Sequence, residues 1–275
     1  MSPVRCDDNL SEQYRDGRNL EARIRLHERF STNPVGLYPW LLAQIEVPSH
    51  ASVLELGCGM GSFWDTNRDR IPPGWRVTLT DTSPGMVREA KRRLSGRPGF
   101  TFAPAAVEDL PYPAATFDAI FAHFMLYHVN DRPRAMREMA RVLRPGGHLY
   151  AATNGARHMQ EARLLAMRAG LMTPADVEVS DAVAFSLENG ADQLRTVFAN
   201  VALRRYEDHL VVTEAEPLLA YILSSWQIQK TLASLDPIDL QDRVTMLRAS
   251  IDEQMAVDGQ IIVAKDSGVF IARRS

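Results

Sequence analysis

From residue 51 onward, short apolar runs alternate with segments whose apolar positions recur every three or four residues. The runs are Ser52–Leu56, Arg76–Thr80, Phe100–Ala103, Phe117–Ala122 and His148–Thr153. Each has the length of a buried parallel strand. Between them, Pro84–Leu94 sets Met86, Val87, Ala90 and Leu94 on one helical face, and Arg134–Leu143 does the same with Met136, Met139, Ala140 and Leu143. Pro145-Gly146-Gly147 ends the second helix, and the Pro-Pro-Gly-Trp at 72–75 and Gly-Arg-Pro-Gly at 96–99 are loop punctuation. Strand and helix in this alternation predict an α/β fold, a mostly parallel sheet with helices on both faces.

The flanks follow other patterns. Residues 1–46 read as helix, with Leu20, Ile24, Leu26 and Phe30 at helical spacing, a break at Ser31–Pro34 and a second short helix over Leu37–Ile45. After residue 153 the alternation stops. Gln160–Ala169 and Val183–Ala199 are expected to be helical and Val201–Val212 a long strand. Glu214–Lys230 is expected to be one helix carrying Leu218, Leu219, Ile222, Leu223 and Trp226. The tail reads as a hairpin turning at Lys265–Gly268. A length of 275 residues allows one to two domains. The expectation is one α/β domain over 47–275 with a helical insert at about 157–250, sharing a single core. Met159, Met167, Met172, Phe185, Phe198, Tyr221 and Trp226 would give that insert an apolar pocket.

Composition narrows the class. With 45% hydrophobic and 24% charged residues, the chain is an ordinary globular protein. A net charge of −3 leaves no global basic field for a nucleic-acid backbone. Two cysteines, Cys6 and Cys58, make no disulfide framework. The polar start is no secretory signal, and no apolar run reaches the roughly 20 residues that span a bilayer. The expectation is a cytoplasmic protein with no membrane or nucleic-acid partner. The seven histidines are scattered, without HExxH or CxxC spacing, so no metal is expected.

The candidate chemistry begins where the first strand ends. Glu55-Leu-Gly57-Cys-Gly59-Met-Gly61 is a glycine loop between a strand and a helix, and Asp81 closes the next strand 20 residues after Gly61. Glycine lets backbone turn sharply and approach a ligand, and a carboxylate at that strand end can accept both hydroxyls of a ribose. A dinucleotide fingerprint wants GxGxxG, but the third glycine comes one residue early and Ser62 stands in its place. A phosphate loop wants Gly-Lys-Ser/Thr, and no lysine is near. Glu55 would repel a pyrophosphate yet could hold an ammonium. The ligand that suits is zwitterionic at one end and a nucleoside at the other, the shape of S-adenosyl-L-methionine.

Four segments then appear in order: VLELGCGMG at 53–61, LTDTSPGM at 79–86, AAVEDLPYPAATFDAIFAHFMLYHV at 105–129 and REMARVLRPGGHLYAAT at 137–153. Together they resemble the motifs of class I S-adenosylmethionine-dependent methyltransferases, most like the small-molecule branch that tailors secondary metabolites and quinones. The resemblance covers about residues 20–155. It implies a Rossmann-like, seven-stranded, mostly parallel sheet with its last strand antiparallel, an amino-terminal helical lid at 1–46 and a helical cap. By resemblance, Glu55, Gly57 and Gly59 surround the methionine part of the cofactor, with Cys58 between them as a small space-filler. Asp81 takes the ribose, with Thr82 and Met86 beside it. Val107 and Glu108 frame the adenine edge. Many members carry Asp-Ala there, where this chain has Ala106-Val107, so the usual carboxylate for the adenine amino group is displaced or missing. By the same resemblance, His123 would stand next to the methionine part and the transferred methyl.

Methyl transfer from a sulfonium is an in-line displacement, so alignment and exclusion of water matter most. A base helps only if the acceptor must lose a proton. His123 and His128 are the candidates, because ligands bind at the carboxyl ends of parallel strands. Tyr14, in the lid, could touch the acceptor. The expected product is S-adenosyl-L-homocysteine, the acceptor a small apolar or aromatic molecule, and the enzyme a monomer or homodimer. The alternatives are an NAD-dependent oxidoreductase on a Rossmann sheet and a methyltransferase acting on a protein.

Overall fold

All five apolar runs are strands. The computed structural model describes residues 17–178 and 184–275. The strands are β1 (Ser52–Leu56), β2 (Arg76–Asp81), β3 (Phe100–Pro104), β4 (Phe117–His123), β5 (Leu143–Asn154), β6 (Asn200–Val212) and β7 (Ile261–Arg273). They form one seven-stranded sheet in the order β3-β2-β1-β4-β5-β7-β6. β1 lies parallel to β2 and β4, β2 to β3, and β4 to β5; β7 is antiparallel to β5. The chain leaves β1 toward β2 and β3 on one side and returns to β4 and β5 on the other. The switch point falls between β1 and β4, where open α/β sheets form a ligand crevice.

The described helices are α1 (Gly17–Phe30), α2 (Leu37–Ala43), α3 (Ser62–Thr66), α4 (Pro84–Arg93), α5 (Arg132–Val142), α6 (Gln160–Arg168), α7 (Pro174–Glu178), α8 (Gly190–Arg195), α9 (Ala215–Leu223), α10 (Trp226–Ser234) and α11 (Pro237–Asp258). Their starts are written in the sequence. Asp131 accepts from the Arg134 amide at 3.0 Å to cap α5, and Asp236 accepts from Ile238 and Asp239 to cap α11. Proline follows each cap in the first turn, where it sacrifices no hydrogen bond.

The chain divides into two compact units. The sheet unit comprises Val35–Gly155, Ala184–Tyr206 and Ser267–Ser275. Strand alternation splits its core in two. Leu54, Leu56, Ile120, Leu149 and Phe270 pack with Met136, Met139 and Val142 of α5. Val53, Val77, Leu79, Phe121 and Tyr150 pack with Trp64 and Leu94. Successive side chains of a strand point to opposite faces, so β1, β4, β5 and β7 feed both clusters.

The helical unit holds the described residues up to Pro34, those from 156 to 178, and Glu207–Asp266. Its own cluster joins Leu26 and Phe30 of α1, Leu165 of α6, Leu218 and Ile222 of α9, and Leu247 and Ile251 of α11 to Leu210 and Val263 of the long strands. Lys265 and Asp208 form a buried ion pair within it at 2.5 Å. Asp208 also accepts from the Thr32 and Asn33 amides at 3.0 and 2.9 Å and from the Ser31 hydroxyl. Burial pushes the Asp208 carboxyl up, but the bonds from Lys265, Ser31 and Asn33 outweigh it and bring it to about 2. His27 and His158 lie in the same unit, rings 6.3 Å apart, each with a buried Nδ1 that has no partner.

Several expectations are corrected. The tail is not a hairpin: β7 runs straight through Lys265–Gly268, with Gly268 opposite Thr153 of β5. Lys265 is buried in its ion pair, and a Cβ on Gly268 would come within 2.6 Å of the Arg204 carbonyl oxygen, so this glycine serves close strand approach. The additions divide: α1, α6, α9 and α11 close a core of their own, whereas Leu41 of α2 and Leu194 of α8 pack in the sheet unit's core. Phe185 and Phe198, expected in a cap pocket, belong to the sheet unit's core. Glu214–Lys230 breaks into α9 and α10 at Ser224 and Ser225. Within Val183–Ala199 the described helix is α8; Val183 lies outside the described residues, as do Cys6 and Tyr14. The 22-residue α11 carries no clear apolar stripe and was not expected.

Candidate active site

Both strands at the switch point carry an ionisable group at or next to their carboxyl ends. The register sets Glu55 of β1 beside Phe121 of β4, two residues before His123, and Asp81 closes β2 on the other flank. Leu56 and His123 end their strands, and the glycine loop leaves β1 directly.

The loop is built by left-handed backbone. Gly57, Gly59 and Gly61 have φ of 65°, 53° and 76°, a region costly for other residues. At Gly57 a Cβ would come within 2.7 Å of the Met125 Cβ, whereas at Gly59 nothing lies within 4 Å. Gly57 is thus required by packing, and Gly59 leaves space above the loop. Asp81 ties the loop to β2: its Oδ2 accepts from the Gly59 amide at 3.0 Å and its Oδ1 from the Ser83 amide at 2.8 Å. The sequence reading gave Asp81 a ligand role alone; it also organises the loop. The Cys58 amide donates to the Thr80 carbonyl at 2.9 Å. Burial, then the charges of Glu55 and Asp81, push the Cys58 thiol far up, so it is no thiolate nucleophile and suits the space-filling role.

Glu55 is a buried carboxylate, 3% exposed. Its Oε2 accepts from the Trp64 indole N–H, and its Oε1 lies 3.3 Å from His123 Nδ1. That nitrogen is buried and makes no hydrogen bond. Buried polar atoms are nearly always paired, and the group nearest this nitrogen is the Glu55 carboxylate. His123 is packed against Phe63 and Phe121 at 4.6 and 5.4 Å between ring centres. The next residue, Phe124, has φ of 56°, strained backbone of the kind concentrated at functional sites.

The structure therefore brings together Glu55 with His123, and Gly59 with Asp81. His128 ends a 3-10 turn, Leu126–His128, and its ring meets Tyr127 at 4.5 Å. Thr82 is exposed and Met86 half-buried, at the start of α4. Glu108 is half-buried, and the Val107 side chain belongs to the core. Trp64 was missed by sequence reasoning; its position in the first turn after the glycine loop was the available signal. Among the described residues no group of three His, Cys, Asp or Glu is placed to hold a metal ion.

An S-adenosyl-L-methionine molecule fits these residues. Its ammonium would find a buried acceptor in Glu55, and the open space over Gly59 would leave room for its approach to the loop.

Comparison with known proteins agrees. Residues 54–151 match the family described as methyltransferase domain. The ubiquinone/menaquinone biosynthesis C-methyltransferase UbiE of Hahella chejuensis is 33% identical over 128 residues, 46% of this chain and 47% of that protein. The malonyl-[acyl-carrier protein] O-methyltransferase of Serratia marcescens is 35% identical over 109 residues, 40% of each. The matched region spans less than half the length of these curated relatives. Phosphoethanolamine N-methyltransferase 2 of Haemonchus contortus, solved with S-adenosyl-L-methionine, has the same fold: TM-score 0.60 at 17% identity, over 99% of this chain and 60% of that one. Fold, glycine loop and matched segment agree: residues 54–151 are similar to methyltransferase domains and include most of β1, the glycine loop, β2 to β4 and most of β5.

Proposed function

We propose that this chain transfers a methyl group from S-adenosyl-L-methionine to a small molecule, releasing S-adenosyl-L-homocysteine. The observation that carries the reading is the incomplete pairing of Glu55 and His123 beside the glycine loop at the β1/β4 switch point. When bound, the cofactor supplies a methyl carbon already activated on a sulfonium. Glu55 would hold the ammonium, Asp81 the ribose hydroxyls, and the Gly57–Gly61 backbone would let the methionine part close on the strand ends. Thr82 and Met86 would line the sugar, and Val107 and Glu108 the adenine edge, Val107 through its backbone because its side chain is in the core. The chain's chemical work is to align acceptor and donor and keep water out.

His128, on the turn after β4, is the candidate base for an acceptor that must lose a proton, with His123 beside the methyl and Tyr14 reaching the acceptor from the amino-terminal segment. The names of the two relatives differ, one a C-methyltransferase of ubiquinone/menaquinone biosynthesis and the other an O-methyltransferase of malonyl-[acyl-carrier protein]. A small natural-product-like acceptor handled in the cytoplasm is the reading offered for this chain. Calorimetry with S-adenosyl-L-methionine and with NAD tests it: binding of the first alone is expected, and binding of NAD alone overturns it. An acceptor screen read by mass spectrometry for a methyl-sized gain then names the substrate.

A further inference from the structure

We propose that Trp64 is a positioning residue that orients the Glu55 carboxylate toward the amino-acid end of the cofactor, making the site selective for nucleosides that carry a free ammonium. The inference rests on the reading that Glu55 receives that ammonium.

The Trp64 side chain is completely buried, and its indole N–H donates to Oε2 of Glu55. An indole is a donor only and does not titrate, so it holds a carboxylate oxygen in one orientation at every working pH. With Oε2 engaged, Oε1 is the oxygen that lies 3.3 Å from the unpartnered His123 Nδ1. Oε1 therefore keeps accepting capacity for a group with several N–H bonds, which an ammonium has. A ligand without that ammonium leaves Glu55 with no counter-charge in a buried setting.

Trp64 is itself held. Its ring stacks on Phe121 at 5.7 Å with 15° between planes, and meets Phe63, Phe100 and Trp75 edge-on. Phe121 in turn stacks against His123. The Trp64 amide donates to the Gly61 carbonyl at 3.1 Å, so the far end of the glycine loop and the indole belong to one turn. The side-chain bond to Glu55 thereby ties together the two ends of the loop that the ligand must approach.

The test compares two probes, S-adenosyl-L-homocysteine, which has the amino-acid tail, and 5′-methylthioadenosine, which has the same ribose and adenine without it. Binding of each is measured by calorimetry on the full chain and on Trp64→Phe, Glu55→Gln and the double variant. Trp64→Phe is expected to weaken S-adenosyl-L-homocysteine about tenfold, the value of a donor to a charged acceptor, and 5′-methylthioadenosine by less than about twofold. The double variant is expected to bind no more than about twofold weaker than Glu55→Gln, because both changes remove one arrangement. Unchanged 5′-methylthioadenosine binding also shows that the variant has folded. Equal loss of both probes would assign Trp64 a structural role and overturn the proposal, as would no loss of either, or full additivity in the double variant. If the unaltered chain binds neither probe, the methyltransferase reading itself fails, a result distinct from all of these.

Discussion

The two units treat buried charge in opposite ways. In the helical unit, Asp208 is surrounded by donors: Lys265, Ser31 and the amides of Thr32 and Asn33 all reach it. In the sheet unit, Glu55 is as deeply buried yet has the indole of Trp64 and a histidine nitrogen that makes no hydrogen bond. A fully satisfied carboxylate is a structural clamp. A partly satisfied one near the end of a central strand is, under the proposed function, a place for a ligand, since the low dielectric makes unpaired groups expensive. The helical unit has orphans too, on His27 and His158, but they are kept neutral. Burial, then Lys265, brings His27 down to about 4, and burial, then His27, Arg163 and Lys265, bring His158 to about 3.

The comparison breaks most easily at the ion pair. Lys265→Met leaves Asp208 buried without its counter-charge and is expected to cost about 3–5 kcal/mol, read by urea unfolding. A cost below about 1 kcal/mol would show that the pair is no clamp. Next comes acid. His27 is neutral in the folded unit down to about 4, whereas an unfolded histidine takes a proton near 6.5. Stability is therefore complete above pH 6.5 and falls as the pH drops toward 4, by roughly 3 kcal/mol for this residue. His27→Gln should make that part of the stability–pH curve less steep, leaving the share that His158 contributes; an unaltered curve would contradict the neutral assignment. Asp208 adds its own loss only below about pH 4, so the two windows separate.

The loop glycines sharpen the contrast inside the sheet unit. Gly57→Ala meets Met125 and a positive φ together and is expected to destabilise by about 1–3 kcal/mol in thermal unfolding. Gly59→Ala meets no neighbour, so it should cost less stability than Gly57→Ala while still weakening the cofactor. Equal losses of stability would mean that backbone strain alone governs both positions. Asp81→Ala is expected to weaken S-adenosyl-L-homocysteine at least about tenfold, combining the lost ribose contact with a loosened loop. Asp81→Asn keeps an acceptor for the Gly59 amide and should fall between. If Asp81→Ala binds normally, Asp81 does not hold the ribose. The smallest expected effect is on His128→Ala, whose turnover should fall if a base is used; unchanged turnover across pH removes that role.

The sheet was legible because its strands are short, apolar and separated by strong punctuation. β1 begins and ends where the apolar run does, and β2, β3 and β4 each differ from their runs by one residue at the carboxyl end. The glycine loop and Asp81 were legible because left-handed turns demand glycine and because the motif order is specific. α11 was not, since a helix that buries Leu247 and Ile251 while leaving Ile238 and Val257 exposed shows no single apolar stripe. Its caps, Asp236 and Gly259, were the signal that could have found it. The false hairpin had a local cause: Lys-Asp-Ser-Gly reads as a turn, and nothing local says that Lys265 has a buried partner 57 positions away.

By itself, then, the sequence determined the strand and helix alternation, the loop's backbone and the class of ligand, because these depend on periodicity, on glycine's freedom and on residue types at close spacing. Only the tertiary structure decided that α1, α6, α9 and α11 close a core of their own, that β7 is one strand, and that Trp64, nine positions from Glu55, is the donor to its carboxylate. Those are matters of which buried polar group meets which. Such pairings are settled by side chains converging across strands and helices, where the cost of leaving a group unpaired is felt, and no local pattern records them.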